Sequence, residues 1–341
     1  MKKLARLFGG DQVKRETAWL MGGAALLTTA AAGASIWNNY GALLRWTEPA
    51  LPLTEKQLAP RTLTYKQVGD RILQLDLYYP PGEGPFPVAI YAHGGAFVRG
   101  ERDDMFCFSP IVDRLLELGV AVCSIEYRLF EEGSYFPDNL EDVRDALCFL
   151  NKEAEGLRIL RGRMMVWGDS AGASLMLTTA LAPSAFVGER DERHMPLISG
   201  VIALYPPTNF LLFNFIQTWI AHIKFYKGGR EEWRKLMTHV SPVTHLSSDA
   251  PPIMLLHGKK DPIVPFSQAL HFVEKGADVG ADVRLFSFPN GTHSLASFAQ
   301  TENPLKIERL LERIEHFTCQ VLLLPPRQLP NGKHDTISHI S

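Results

Sequence analysis

A serine flanked by glycines most constrains what this chain can fold into. The pentapeptide GDSAG at 168–172 follows the apolar run 164–167 and precedes a small-residue stretch of helical character. A strand, a sharp turn and a helix in this order are the context in which a G-x-S-x-G turn exposes a serine hydroxyl, and the glycines leave room for the strained corner. We therefore predict that Ser170 is a nucleophile.

A glycine pair follows an earlier strand-like run. Residues 88–92 are apolar and lead directly into His93, Gly94 and Gly95. Glycines at this point can leave backbone N–H groups open to a cavity, where such donors stabilise the negative charge that acyl transfer develops on a carbonyl oxygen. We predict an oxyanion hole made by the amides of Gly94, Gly95 and Ala171. A plain Gly-Gly turn is the alternative.

A candidate acid and base follow in the chain order Ser, Asp, His that this kind of site requires. His293 lies in a loop after the strand-like run 283–288, and Asp261 follows the apolar run 252–256. Asp261 would orient the imidazole of His293 and stabilise its charged form. Asp261 could instead cap a helix beginning near Pro262.

Taken together, these segments resemble the α/β-hydrolase family, and within it the carboxylesterases of the hormone-sensitive-lipase-like and feruloyl-esterase-like branches. The matching segments are HGGAF at 93–97, EYRL at 126–129, FPDNLEDV at 136–143, GDSAGA at 168–173, HGKKDPIVP at 257–265 and GTHS at 291–294. The resemblance covers about residues 60–320.

The resemblance implies a role for each matching residue. Ser170 would be the nucleophile, Asp261 the acid and His293 the base, and the amides of Gly94, Gly95 and Ala171 would bind the oxyanion. One position departs from the family pattern. The third residue of the oxyanion loop, often glycine in that family, is Ala96 here.

Apolar strand-like runs alternate with helical stretches between residues 61 and 324. This alternation predicts an α/β catalytic domain with a mostly parallel central sheet and helices on both faces. Ligands of such sheets bind at the carboxyl ends of the strands, where every candidate above lies. We expect the tail at 325–341 to be disordered.

An aromatic-rich stretch interrupts the pattern between two of these strands. We predict a small helical lid insertion at about 207–248, in which Phe213, Phe215 and Trp219 line the acyl pocket and favour hydrophobic esters. The alternative is an ordinary amphipathic helix that packs on the core.

The N-terminal region forms a separate feature. A basic segment at 1–17 precedes an uncharged stretch at 18–37, which is long enough for one helical crossing of a bilayer and carries tryptophans near both ends. We predict a transmembrane anchor with a cytoplasmic N-terminus, a linker at 38–60, and the catalytic domain on the far side of the membrane.

Two other interpretations of residues 18–37 remain open. Ala32–Ala34 resembles a signal-peptidase site, so cleavage could release a secreted enzyme. The segment could also be an amphipathic helix lying on the catalytic domain.

The composition excludes several classes of function. A net charge of −2 provides no basic surface for nucleic acid. The four cysteines are scattered without metal-ligand spacing, and no phosphate-binding or dinucleotide motif occurs, so we expect no metal and no cofactor. The oligomeric state stays open.

These observations favour a serine carboxylesterase that acts on a small-molecule or lipid ester. The same machinery can serve an aryl formamidase or a prenylcysteine methylesterase. A catalytically silent binding protein of this fold is the alternative outside the enzymes.

Overall fold

Eight strands form one mixed sheet in the part of the chain that the computed structural model describes, which is residues 59–130, 134–186, 192–212, 229–294 and 304–325. The strands are β1 (Arg61–Val68), β2 (Arg71–Tyr78), β3 (Phe86–Ala92), β4 (Ala121–Ile125), β5 (Ile159–Asp169), β6 (Ile198–Leu204), β7 (Ile253–Gly258) and β8 (Val283–Phe288).

The strands lie in the order β1-β2-β4-β3-β5-β6-β7-β8. β2 pairs antiparallel with β1 and β4, and each neighbouring pair from β4 to β8 is parallel. Every residue of β3, at the centre, is buried. Such continuous apolar strands suit a sheet that is covered on both faces. The predicted α/β fold with a mostly parallel sheet is confirmed.

The longer helices connect these strands. They are α1 (Ser109–Glu117), α2 (Asp138–Lys152), α3 (Ser170–Leu181), α4 (Arg230–Val240), α5 (Ser267–Val279) and α6 (Pro304–Leu322). Tyr91 and Trp167 pack on one face of the sheet in a cluster with α1 and α6. Alternate residues of β3 point the other way, towards the face on which α3 packs.

β5 is longer than the apolar run that predicts it. The strand begins at Ile159, and its early residues 161 and 162 are exposed, whereas 164–168 are buried. The polar and glycine residues 161–163 separate Ile159 and Leu160 from the apolar run, so the run predicted only the second part of the strand.

Several predicted regions lie outside the described residues. These are the basic segment 1–17, the predicted anchor 18–37, most of the linker, the tail after residue 325, and the part of the lid that contains Phe213, Phe215 and Trp219. Within the described residues, no helix combines the length and apolar character needed to cross a membrane. The domain boundaries, the anchor and the lid stay predictions.

Candidate active site

Ser170 lies at the corner between β5 and α3. Its φ is +47°, in the left-handed region that a side chain other than glycine rarely adopts. A Cβ at Gly168 would come within 2.7 Å of the carbonyl oxygen of Ala92, and a Cβ at Gly172 would overlap the same oxygen. The backbone at the end of β3 therefore passes so close to the corner that only glycine fits at 168 and at 172.

His293 connects Ser170 to Asp261. Nε2 of His293 lies 2.9 Å from Oγ of Ser170, and Nδ1 lies 2.6 Å from Oδ2 of Asp261. The three side chains come from the end of β5, the loop after β7 and the loop after β8. The structure thus brings the predicted nucleophile, base and acid into one hydrogen-bonded chain, with the spacing that proton transfer requires.

The carboxylate of Asp261 is held by further groups. Its Oδ1 accepts hydrogen bonds from the amides of Ile263 (2.8 Å) and Val264 (2.9 Å). Nε2 of His257 donates to the carbonyl oxygen of Val264 at 2.9 Å and lies 3.4 Å from Oδ2 of Asp261. Asp261 therefore binds backbone amides and His293 together, although no helix begins at Pro262 and the next one starts at Ser267.

These contacts keep Asp261 ionised. Burial alone would raise the pKa of its carboxyl group, but the charge of His293, the nearby Nε2 of His257 and the hydrogen bond from His293 outweigh burial and lower the pKa to about 2. His257 lies near the end of β7. It is fully buried, and it also contacts the carboxylate.

The loop with Asp261 and the loop with His293 are hydrogen-bonded to each other. The amide of Lys259 donates to the carbonyl oxygen of Phe288 at 2.8 Å, and the amide of Lys260 donates to that of Gly291 at 3.0 Å. Nζ of Lys260 also donates to Oδ1 of Asn290 at 2.8 Å. These bonds fix the distance between the carboxylate and the imidazole.

The predicted oxyanion donors require one correction. The N–H of Gly94 donates to Oδ1 of Asp169 at 2.7 Å, so this amide is already engaged. Within the described part of the chain, the amides of Gly95, Ala96 and Ala171 donate to no hydrogen-bond acceptor. Ala171 is in the first turn of α3, where a helix leaves N–H groups unpaired. Ala96, with φ +55°, is a candidate donor that was not predicted from the sequence.

The side chains of His93 and Tyr127 are hydrogen-bonded to the backbone of the oxyanion loop. Nδ1 of His93 donates to the carbonyl oxygen of Gly94 at 2.8 Å. The hydroxyl of Tyr127 donates to the backbone carbonyl oxygen of His93, also at 2.8 Å. The two rings stack with centroids 4.3 Å apart. Burial lowers the pKa of His93, which favours the neutral ring that makes this single donation.

Asp169 is the second carboxylate of the site, and the sequence interpretation assigned it no role. Its Oδ1 accepts both the Gly94 amide and the hydroxyl of Tyr91, the latter at 2.7 Å. Burial raises the pKa of Asp169 to about 6, against the hydrogen bond from Tyr91 and the charge of His293, which favour the ionised form. The sequence does not show which atom the Gly94 amide donates to, so the contact of Asp169 with this amide is visible only in the structure.

An aromatic cluster lies next to the oxyanion loop. Phe97 follows Ala96, and its ring centroid is 5.5 Å from Phe130, 5.1 Å from Phe136 and 5.9 Å from Phe210. Phe210 begins a short helix, Phe210–Leu212, within the predicted lid insertion at about 207–248. Phe213, Phe215 and Trp219 belong to the part of that insertion outside the described residues.

Within the described ranges, no group of three or more His, Cys, Asp or Glu side chains could hold a metal ion.

Comparison with known proteins gives the class and then the family. Esterase 2 of Thermogutta terrifontis with bound propionate superposes with a TM-score of 0.67 and 22% identity, over 79% of this chain and 97% of its own. The fold is therefore that of α/β-hydrolases. The family model BD-FAE matches residues 75–275, more than half of the sequence. The chain belongs to the BD-FAE family.

The curated relatives are longer than the region of them that this chain matches. The esterase LipQ of Mycobacterium tuberculosis is 27% identical over 72% of this chain and 60% of its own length. A probable isoprenylcysteine alpha-carbonyl methylesterase of Oryza sativa subsp. japonica is 27% identical over 65% of this chain and 55% of its own length. The chain thus spans about 60% of LipQ.

Proposed function

We propose that this chain is a serine carboxylesterase that hydrolyses carboxylic esters through an acyl-enzyme. The observation that carries the proposal is the imidazole of His293, within hydrogen-bond distance of Ser170 on one side and Asp261 on the other. Membership of the BD-FAE family and the similarity to a protein named as an esterase support the same activity.

Acylation follows from this geometry. His293 takes the proton from Oγ of Ser170 as that oxygen bonds to the ester carbonyl carbon. The carbonyl oxygen becomes negative and accepts hydrogen bonds from the amides of Gly95, Ala96 and Ala171. The C–O ester bond then breaks, and the alcohol leaves with the proton held by His293.

Deacylation repeats these steps with water. His293 takes a proton from the water as its oxygen bonds to the acyl carbon, and the bond to Ser170 breaks. The proton returns from His293 to Oγ of Ser170 and the carboxylic acid departs. Because the pKa of Asp261 is about 2, this carboxylate stays ionised at neutral pH and stabilises the imidazolium in both halves of the reaction.

Labelling with a fluorophosphonate and turnover of p-nitrophenyl esters test the proposal. The wild type should be labelled at Ser170, and Ser170→Ala should lose kcat by on the order of 10⁶-fold while keeping its thermal unfolding midpoint. Equal turnover by Ser170→Ala, or no labelling of the wild type, would refute the esterase and favour a silent binding protein.

The substrate is proposed to be a hydrophobic ester. The rings of Phe97, Phe136 and Phe210 pack together next to the oxyanion loop, and Phe213 and Phe215 follow Leu212 in the sequence. A chain-length series of p-nitrophenyl esters should show a preference for longer acyl groups, and Phe213→Ala with Phe215→Ala should reduce it. An unchanged profile in both variants would overturn the lid.

A prenylcysteine methylesterase is the second candidate, because the rice relative carries that activity in its name. Turnover of a prenylated cysteine methyl ester should then exceed that of a simple methyl ester at equal concentration. Formylkynurenine in the same series tests the formamidase alternative.

We propose that residues 18–37 anchor the chain in a membrane with the catalytic domain on the far side from a cytoplasmic N-terminus. Protease protection on intact membranes should leave the domain shielded from protease added on the N-terminal side. A mature chain that starts after Ala34 and is found in the medium would favour the secreted alternative.

A further inference from the structure

Asp169 occupies the variable position directly before Ser170, and its carboxylate reaches back to the strand that leads into the oxyanion loop. One oxygen, Oδ1, accepts from the hydroxyl of Tyr91 and from the amide of Gly94, each at 2.7 Å. Gly94 is separated from Asp169 by 75 residues in the chain. The hydrogen bond therefore adds a side-chain link between two elements that the strand pairing of β3 and β5 also brings together.

Gly94 is shaped to this carboxylate. A Cβ on Gly94 would overlap Oδ2 of Asp169, and the three nearest atoms to that Cβ all belong to the Asp169 carboxylate. The backbone of Gly94 is outside the left-handed region, so its conformation does not require glycine. The close approach of Asp169 is thus the reason that no side chain fits here.

The two joined elements carry the oxyanion donors. Gly95 and Ala96 follow Gly94 on the oxyanion loop, whereas Ala171 is two residues after Asp169 at the start of α3. An oxyanion hole works only if its donors lie at the correct separation before the reaction begins, because rearranging them during the reaction costs free energy. A bond between Gly94 and Asp169 sets that separation.

We propose that Asp169 is a positioning residue, whose carboxylate oxygen fixes the oxyanion loop to the nucleophile turn through the Gly94 amide. This inference rests on the proposed esterase function and adds a residue that acts through the donors rather than on the substrate.

The acceptor atom, and not the negative charge, performs this role. A charge beside a developing oxyanion opposes it, whereas a neutral amide or acid oxygen accepts the same hydrogen bonds. The ionisable groups that influence Asp169 are Tyr91 from β3, Asp104 from the turn before α1 and His293 from the loop after β8. The bond from Gly94 should therefore survive replacement of Asp169 by asparagine, which keeps Oδ1.

Steady-state kinetics of two variants on p-nitrophenyl butyrate separate these possibilities. Asp169→Ala should lower kcat by about 10²-fold, the loss expected when an oxyanion donor is displaced, and leave KM within about twofold. Asp169→Asn should retain kcat within about fivefold. The affinity for a trifluoromethyl ketone, whose bound adduct carries an oxyanion, should fall in parallel with kcat in Asp169→Ala only.

Gly94→Ala supplies a second measurement that does not require Asp169→Ala to fold. Its added Cβ should push the loop away from the carboxylate and lower kcat by about as much as Asp169→Ala does. In the double variant Gly94→Ala with Asp169→Ala the methyl group has room, so kcat should be no lower than in Asp169→Ala alone. Additive losses in the double variant would contradict the contact.

Each outcome decides between the two proposals. If the wild type hydrolyses esters and labels at Ser170, but Asp169→Ala keeps wild-type kcat, the positioning role is wrong and the esterase stands. Equal losses in folded Asp169→Asn and Asp169→Ala would also overturn the positioning role, since the charge would then matter. If the wild type neither labels nor turns over, the proposed function fails first.

Discussion

Gly258 and Gly291 meet where the end of β7 passes the loop that carries His293. A Cβ on Gly258 would overlap the carbonyl oxygen of Gly291 and, next to it, that of Thr292. The contact is between backbone atoms, so no side chain can rotate away to relieve it. Glycine at 258 therefore permits the loop with Asp261 and the loop with His293 to approach each other.

Gly258→Ala should displace the His293 loop and lower kcat by about 10²-fold, because a shift of about 1 Å in a catalytic group has an effect of that size. Gly156→Ala is the matched control, since its Cβ would make only an ordinary contact of 3.7 Å with the carbonyl oxygen of Glu153. Esterase kinetics of both variants check the prediction. Wild-type kcat in Gly258→Ala would show that the loop adapts.

Asp261→Asn should lower kcat by about 10⁴-fold at neutral pH, because the amide cannot hold the imidazole of His293 in the required tautomer. Asp282→Asn is a suitable control, since that carboxylate is exposed and bonds to Arg284. Thermal unfolding should show that both variants fold. A loss below tenfold in Asp261→Asn would contradict the assigned role of the carboxylate.

The two carboxylates of the site should affect stability in opposite directions as the pH changes. Asp261 has a pKa of about 2 in the folded protein, against about 3.9 when unfolded. Its contribution is therefore present above about pH 4 and is lost as the pH falls towards 2. Asp169 has a folded pKa of about 6, so its contribution is present below about pH 4 and is lost as the pH rises through 6.

Urea unfolding of the wild type and of Asp169→Asn at pH 4 and pH 7 measures the second effect. The difference in free energy of unfolding between the two proteins should change in favour of the variant by on the order of 2 kcal/mol between these values. Other titrating groups are common to both proteins and cancel. A difference that is constant with pH would show that Asp169 does not titrate in this range.

Lys66→Met should destabilise the fold without changing the chemistry. Nζ of Lys66 lies 2.8 Å from Asp142 and 2.7 Å from Asp145, and all three side chains are buried. Removing the ammonium group from such a network costs about 3–5 kcal/mol. Lys235→Met, which removes an exposed pair with Glu231, should cost at most about 0.5 kcal/mol. Urea unfolding compares them, and kcat of folded Lys66→Met should equal that of the wild type.

The sequence indicated where the three candidate catalytic side chains lie, because each follows an apolar run. Parallel strands end at the same edge of a sheet, so Ser170, Asp261 and His293 had to lie at one edge once the runs were recognised as strands. Among the ten histidines after Ser170, His293 was selected because it lies in a loop directly after the strand-like run 283–288. The sequence did not show the hydrogen bonds between the loop of Asp261 and the loop of His293 that fix the distance between the two side chains.

The oxyanion loop was harder to predict, because glycine permits many backbone conformations and sequence does not show where an N–H points. Gly94 was expected to serve the substrate, whereas it donates to Asp169. No role was expected for Asp169. It acts across strands instead, on a partner that only the pairing of β3 with β5 brings near.

The chain leaves the sheet after Leu204 at the end of β6 and returns at Ile253 to begin β7, the adjacent parallel strand. Insertions or deletions within residues 205–252 leave the pairing of β6 with β7 intact. None of Ser170, Asp261 or His293 lies within these residues. If the segment forms the proposed lid, its sequence can change without moving Ser170, Asp261 or His293, and grafting it from a relative should transfer acyl preference without loss of turnover.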